Sequence, residues 1–274
     1  MDNILKQIQS TELEILIYFD KFCKENNLKY SLSGGTLLGA VRHKGFIPWD
    51  DDVDCMMMRD DYDRLVSLWN EKADTDKFIL QLKDNSPAFS QSFAKIRKNH
   101  TAFLQKGEPA GEYHNGLFID IMPADRLPKG KIREFLYYID VMFYQLFTRE
   151  FAPPQSGFVM KTITSAIISL TNKKSRASLR KKLLKKLTKY NENKNLQIIS
   201  FETIDSMHRH YSADLMNETI DIEYEGVMLK ASSKWKEILE IGYGDYMQYP
   251  PEEEQVWKHH PIVIDFEHNL EDIK

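Results

Sequence analysis

The stretch Asp50-Asp51-Asp52-Val53-Asp54-Cys55-Met56-Met57-Met58 constrains this chain more than any other. Its apolar run from Val53 to Met58 predicts a buried strand, and acids lead directly into it. A solvated acidic turn is the ordinary reading of such a run; acids entering an apolar strand point instead to a site at the strand's end. Side chains alternate along a strand, so Asp52 and Asp54 are expected on one face. Two carboxylates about 5 Å apart repel by roughly 3 kcal/mol at an effective dielectric near 20. A divalent cation removes that penalty, and hard oxygen ligands suit Mg²⁺ or Mn²⁺. Upstream, Ser33-Gly34-Gly35 predicts a turn into a helix. Glycines there let backbone N–H groups approach an anion, and a helix N-terminus favours negative charge. Asp120 stands alone in the apolar stretch Leu117–Ile121, where an isolated acid is costly unless paired or metal-bound, and is taken as the third acid.

Helical spacing predicts a first helix over residues 4–26, with short helices over 36–41, 60–69 and 234–241. Residues 28–32, 78–82, 93–97 and 117–121 read as strands, and 219–231 as a hairpin turning at Glu225-Gly226. Strands interleaved with helices predict an α/β (α+β) core with a mixed sheet flanked by helices. Residues 131–190 read as a helical insertion, broken at Pro153-Pro154. The expected division is a core over 1–128, a helical basic region over 129–200, and a C-terminal part over 201–274 that completes the core.

The 274 residues carry a net charge of -4, which gives no reason to expect a nucleic-acid partner. Cys23 and Cys55 make neither a disulfide framework nor a metal spacing. The N-terminus has no apolar signal-peptide core, and no stretch reaches the roughly 18–20 apolar residues of a bilayer span. A cytoplasmic protein is therefore expected. Residues 172–189 hold nine Lys or Arg and no acid, above leucines Leu179, Leu183, Leu184 and Leu187 at helical spacing. This pattern predicts either a solvated basic helix or one lying on the inner face of an anionic membrane.

The segment Tyr30-Ser31-Leu32-Ser33-Gly34-Gly35-Thr36-Leu37-Leu38-Gly39-Ala40-Val41-Arg42-His43-Lys44-Gly45-Phe46-Ile47-Pro48-Trp49-Asp50-Asp51-Asp52-Val53-Asp54 resembles the signature of the LicD family, which includes the fukutin-related transferases. Phe93–Arg97 with Thr101, Gly116–Pro123, Tyr243–Met247 and His259-His260-Pro261 are similar to its later blocks. The resemblance implies a nucleotidyltransferase-type fold. It also implies Asp52, Asp54 and Asp120 as catalytic metal ligands, a CDP-alcohol donor, and a glycan or lipid-linked glycan acceptor such as teichoic acid, lipopolysaccharide or capsule. Phosphocholine is the group expected to move, with CMP leaving. Gly34, Gly35, Thr36, Arg42, Trp49, Lys95, Arg97, His259 and His260 are the expected substrate-binding residues; the two histidines also suit help with proton transfer, or a structural place in the tail. Lys95 and Arg97, two apart on a strand, both suit phosphate, and Asp120 suits acceptance of the hydroxyl proton. A quaternary ammonium needs aromatic faces, for which Trp49, Tyr113, Tyr243, Tyr246 and Trp257 are candidates. Rival expectations are nucleotidyl transfer from an NTP, a non-catalytic membrane- or glycan-binding module on the same fold, and the same chemistry with ribitol, glycerol or ethanolamine phosphate.

Overall fold

The computed structural model describes residues 2–151, 157–201 and 206–273, so Pro153-Pro154 lies outside the described residues. Two compact units emerge. One comprises residues 1–81, 93–124 and 214–274, and the other 82–92 and 125–213.

In the first unit, α1 (Asp2–Glu25) buries the stripe Ile8, Ile15, Leu16 and Phe19. The chain continues through β1 (Ser31–Leu32), α2 (Gly34–His43), β2 (Asp54–Met58) and α3 (Arg59–Lys72). Then come β3 (Phe78–Gln81), β4 (Ala94–Lys98), β5 (Ala102–Gln105) and β6 (Phe118–Arg126), whose last two residues belong to the second unit. The main sheet runs β1-β2-β6-β4-β3. β2 and β6 are parallel and the other pairs in this path are antiparallel, so the sheet is mixed, with helices flanking it as expected. The continuous apolar run of β2 fits its central, doubly covered place: Cys55, Met56 and Met57 are all buried. The parallel register sets Asp54 opposite Asp120, and the antiparallel register on β6's other edge sets Lys95 opposite the same Asp120. One row across three strands therefore reads Asp54, Asp120, Lys95.

The strand starts one step later than Val53, at Asp54, so Asp52 sits in the preceding loop rather than on the ladder. The hairpin over 219–231 is present as β8 (Thr219–Tyr224) and β9 (Val227–Ser232), with Glu225 and Gly226 both at positive φ. It leads to α7 (Trp235–Tyr243). The C-terminal β10 (Pro261–Asp265) pairs with β5, a strand that sequence patterning does not pick out.

The second unit is mainly helical, with α4 (Lys131–Arg149), α5 (Phe158–Ser169) and α6 (Lys173–Thr188), plus β7 (Ile198–Ile199) paired to the end of β6. Here the reading of α6 as a helix lying on a membrane by its leucines is corrected. Leu187 is fully buried, and Leu183 and Leu184 pack on a core containing Tyr137, Val141 and Tyr144 of α4. Two of its cations turn inward as well: Arg176 pairs with Glu150 at 2.9 Å, and Arg180 pairs with Asp84. An amphipathic pattern records only that one face is apolar, and here a protein core covers it. No helix among the described residues is long and apolar enough to cross a membrane.

Candidate active site

The acids gather where α2 begins. Ser33 donates its N–H to the Asp54 carbonyl at 3.0 Å, and Asp54 donates its own N–H to Thr36 Oγ1 at 2.8 Å. Thr36 thus ties the first turn of α2 to the first residue of β2. Gly34 has φ +53°, and a Cβ there would lie 2.6 Å from Asp54 Oδ2. A Cβ on Gly35 would lie 2.6 Å from Asp50 Oδ2. The two glycines are therefore required for close approach: they bring helix N–H groups beside the carboxylates, with no side chain between.

The carboxyls are crowded. Burial, with Asp52 and Asp51 beside it, pushes Asp50 up to about 8. Burial raises Asp54 well above the carboxylate range, reinforced by Asp52, Asp120 and Asp50. Burial also raises Asp52; His259 opposes that rise and Asp120 adds to it. Crowded acids of this kind relax either by taking up protons or by binding a cation.

Asp120, 8% exposed, is already engaged. Lys95 Nζ sits 2.5 Å from its Oδ1 and 3.3 Å from the centroid of the Phe118 ring. Burial lowers the Lys95 pKa, while Asp120 works to raise it. Arg97 lies further along the same face, fully buried, donating to Gln81 Oε1 and the Gly116 carbonyl at 2.6 Å each. Arg42 is spent on the carbonyls of Tyr246 (3.3 Å) and Gln248 (3.4 Å), and its guanidinium lies 4.4 Å from the Tyr249 ring. Trp49 lies beside that same ring, with centroids 6.3 Å apart. Lys44 pairs with Glu223.

Two neighbours escape a sequence reading. Asp51, 2% exposed, accepts the N–H groups of His259 (2.8 Å) and Lys258 (3.2 Å), and lies 3.3 Å from His259 Nδ1. It thereby anchors the C-terminal segment just before β10. The structure also parts the two histidines: His259 faces Asp51, whereas His260 is exposed against Trp257. Glu12 of α1 is 1% exposed with Oε2 unpartnered, and is raised by burial and by Asp52, Asp51 and Asp50. Its one signal in the sequence is an acid on the apolar stripe of α1, between Ile8 and Ile15.

No three His, Cys, Asp or Glu side chains among the described residues are gathered closely enough to hold a metal by themselves. The donor set fits Mg²⁺ in another way, because that ion commonly takes only one or two carboxylates and completes its shell with water and substrate phosphates. Asp52 and Asp54 offer such a pair.

Residues 27–154 match the domain described as LicD/FKTN/FKRP, nucleotidyltransferase domain. Over 257 residues the chain is 30% identical to the lipopolysaccharide cholinephosphotransferase LicD of Haemophilus influenzae, spanning 92% of this chain and 94% of that protein. The chain belongs to the LicD family. Shorter matches, 60% identical over 37 residues and 14% of this chain, join it to uncharacterised proteins of Rickettsia prowazekii and Rickettsia typhi, covering 14% and 12% of those proteins. In LicD terms, the long N-terminal signature forms β1, α2, the acidic loop and the head of β2, the parts that press Gly34 against Asp54 and Gly35 against Asp50.

Proposed function

We propose that this LicD-family enzyme moves phosphocholine from CDP-choline onto a hydroxyl of a cell-surface glycan of the lipopolysaccharide class and releases CMP. The acidic cluster closed onto the Gly34-Gly35 turn carries the reading, because it joins cation-binding carboxylates to a helix N-terminus suited to a diphosphate. The substrate class is supported by the activity named for the Haemophilus influenzae relative. Mg²⁺, held by Asp52 and Asp54, would neutralise charge on the donor diphosphate. Around it, the N–H groups of α2's first turn orient the phosphates. Lys95 pairs with Asp120 at 2.5 Å and brings a positive charge to the row of acids. Trp49, beside Tyr249, offers a face for a quaternary ammonium.

Calorimetry with CDP-choline, CDP-ethanolamine, CDP-ribitol, CDP-glycerol and CTP tests this without a known acceptor. The expected result is Mg²⁺-dependent binding that prefers CDP-choline. Preference for another CDP-alcohol would change the group moved; binding of CTP alone would point to nucleotidyl transfer and overturn the reading, and binding of none of the five would revive the non-catalytic module.

Peripheral contact with an anionic membrane belongs to the same reading, carried by the exposed lysines of α6 (Lys173, Lys174, Lys181, Lys182, Lys185 and Lys186) without its leucines. Such contact is purely electrostatic. Co-sedimentation with phosphatidylserine vesicles is expected at low salt and should vanish near 1 M salt, where the screening length falls to about 3 Å; salt-resistant binding, or none at low salt, would count against it.

A further inference from the structure

Transfer to a hydroxyl needs a group that takes its proton, and most acids of the site are already committed. Lys95 occupies Asp120 Oδ1 at 2.5 Å, Asp50 is crowded against Asp52, and Asp52 and Asp54 are the proposed cation ligands. His259 is differently placed. Asp51 holds it at three points: its backbone N–H at 2.8 Å, the preceding N–H of Lys258 at 3.2 Å, and its ring Nδ1 at 3.3 Å. The Asp51 carboxylate is 2% exposed, so this orientation is fixed from within the protein. The ring is wedged at steep angles against Phe103 and Phe118, with centroids 6.4 Å and 6.2 Å away. A carboxylate at Nδ1 holds the ring proton there, so that in the neutral ring Nε2 carries the lone pair. The His259 side chain is 27% exposed, and Nε2 has no protein partner among the described residues. An oriented base with an open second nitrogen is the arrangement by which hydroxyl nucleophiles are activated.

We infer that His259 is the catalytic base of the transfer and that Asp51 is the residue that positions it. The inference rests on the phosphotransfer reading above. As the acceptor oxygen bonds to the phosphorus bearing choline, its proton passes to His259 Nε2. The bond from that phosphorus to the bridging oxygen breaks, and CMP leaves with the electron pair. The imidazolium then returns its proton to water, so the enzyme ends unchanged.

The test uses full-length enzyme, Mg²⁺, CDP-choline and lipopolysaccharide lacking phosphocholine, reading CMP release and, separately, CDP-choline affinity. His259→Ala is expected to lower kcat by about 10²–10⁴-fold, the usual worth of general-base catalysis, with donor Kd unchanged. Added imidazole should restore at least tenfold of that loss. Asp51→Asn should also lower kcat without moving donor Kd. Joining it to His259→Ala should cost nothing further, since residues acting as one unit are not additive. A kcat within threefold of wild type in His259→Ala overturns the assignment. Weakened donor binding without imidazole rescue overturns it too, and makes His259 a binding residue. Wild-type enzyme that releases no CMP sinks the phosphotransfer reading itself, and the inference with it; because that outcome shows in the wild type, the two failures are distinguishable.

Discussion

Asp52→Asn is expected to yield a folded protein that turns over at about one-thousandth of the wild-type rate. Asparagine keeps the shape of the side chain and removes its charge. If Asp52 shares a cation with the donor diphosphate, losing its charge removes about 4 kcal/mol of transition-state stabilisation, roughly 10³ in rate. Stability should move the other way. Asp52 raises the pKa of Asp50, Asp54 and Glu12 in turn, so each of them pays for its charge in the metal-free protein. Removing that charge should therefore make the metal-free variant more resistant to urea than wild type. An acid kept for structure would behave in the opposite way, with stability falling and turnover preserved, and that outcome would sink the site.

Lys95→Met tests the row next to it. Lys95 and Asp120 are both almost buried, 9% and 12% exposed by side chain, and lie 2.5 Å apart. Removing one partner of a buried pair strands the other charge, which costs about 3–5 kcal/mol. Lys98→Met is the internal comparison. Lys98 also pairs with an acid at 2.5 Å, Glu14, but the two side chains are 25% and 52% exposed, and such a pair is worth about 1 kcal/mol or less. Urea denaturation of the two variants should therefore differ by at least about 2 kcal/mol. Adding Asp120→Asn to Lys95→Met should recover much of the loss, because no stranded carboxylate remains. Equal, small effects of Lys95→Met and Lys98→Met would mean that the row is solvated and that Asp120 needs no counter-charge.

The sequence was most readable where chemistry and local geometry coincide. The glycine turn, Thr36 and Asp54 lie close along the chain, and their hydrogen bonds and close approaches follow from a turn meeting a strand. The mixed sheet follows from strands interleaved with helices, with β2 and the first part of β6 apolar enough to be recognised as buried strands. Asp51 was beyond such a reading, because the partner that defines it stands 208 residues away. Nothing local separates it from Asp50 and Asp52. Strands β5 and β10 are hidden for a related reason: each is short, and each is defined by the other across the chain. The leucines of α6 show a different limit. Periodicity reports that a face needs covering and is silent on whether lipid or protein covers it, and here Tyr137, Val141 and Tyr144 do so.

The bond from Asp51 to His259 also bears on how the enzyme comes into being. A ribosome delivers the acidic loop early and His259 only near the end of the described chain, at about 5–20 residues per second. For some ten to forty seconds the nascent chain holds its carboxylates without the segment that Asp51 anchors. Every molecule thus passes through a stage in which the acidic loop has been made and the proposed base has not. A chain cut short before Lys258 would lack both the proposed base and the N–H groups that Asp51 accepts, leaving that buried carboxylate without those partners.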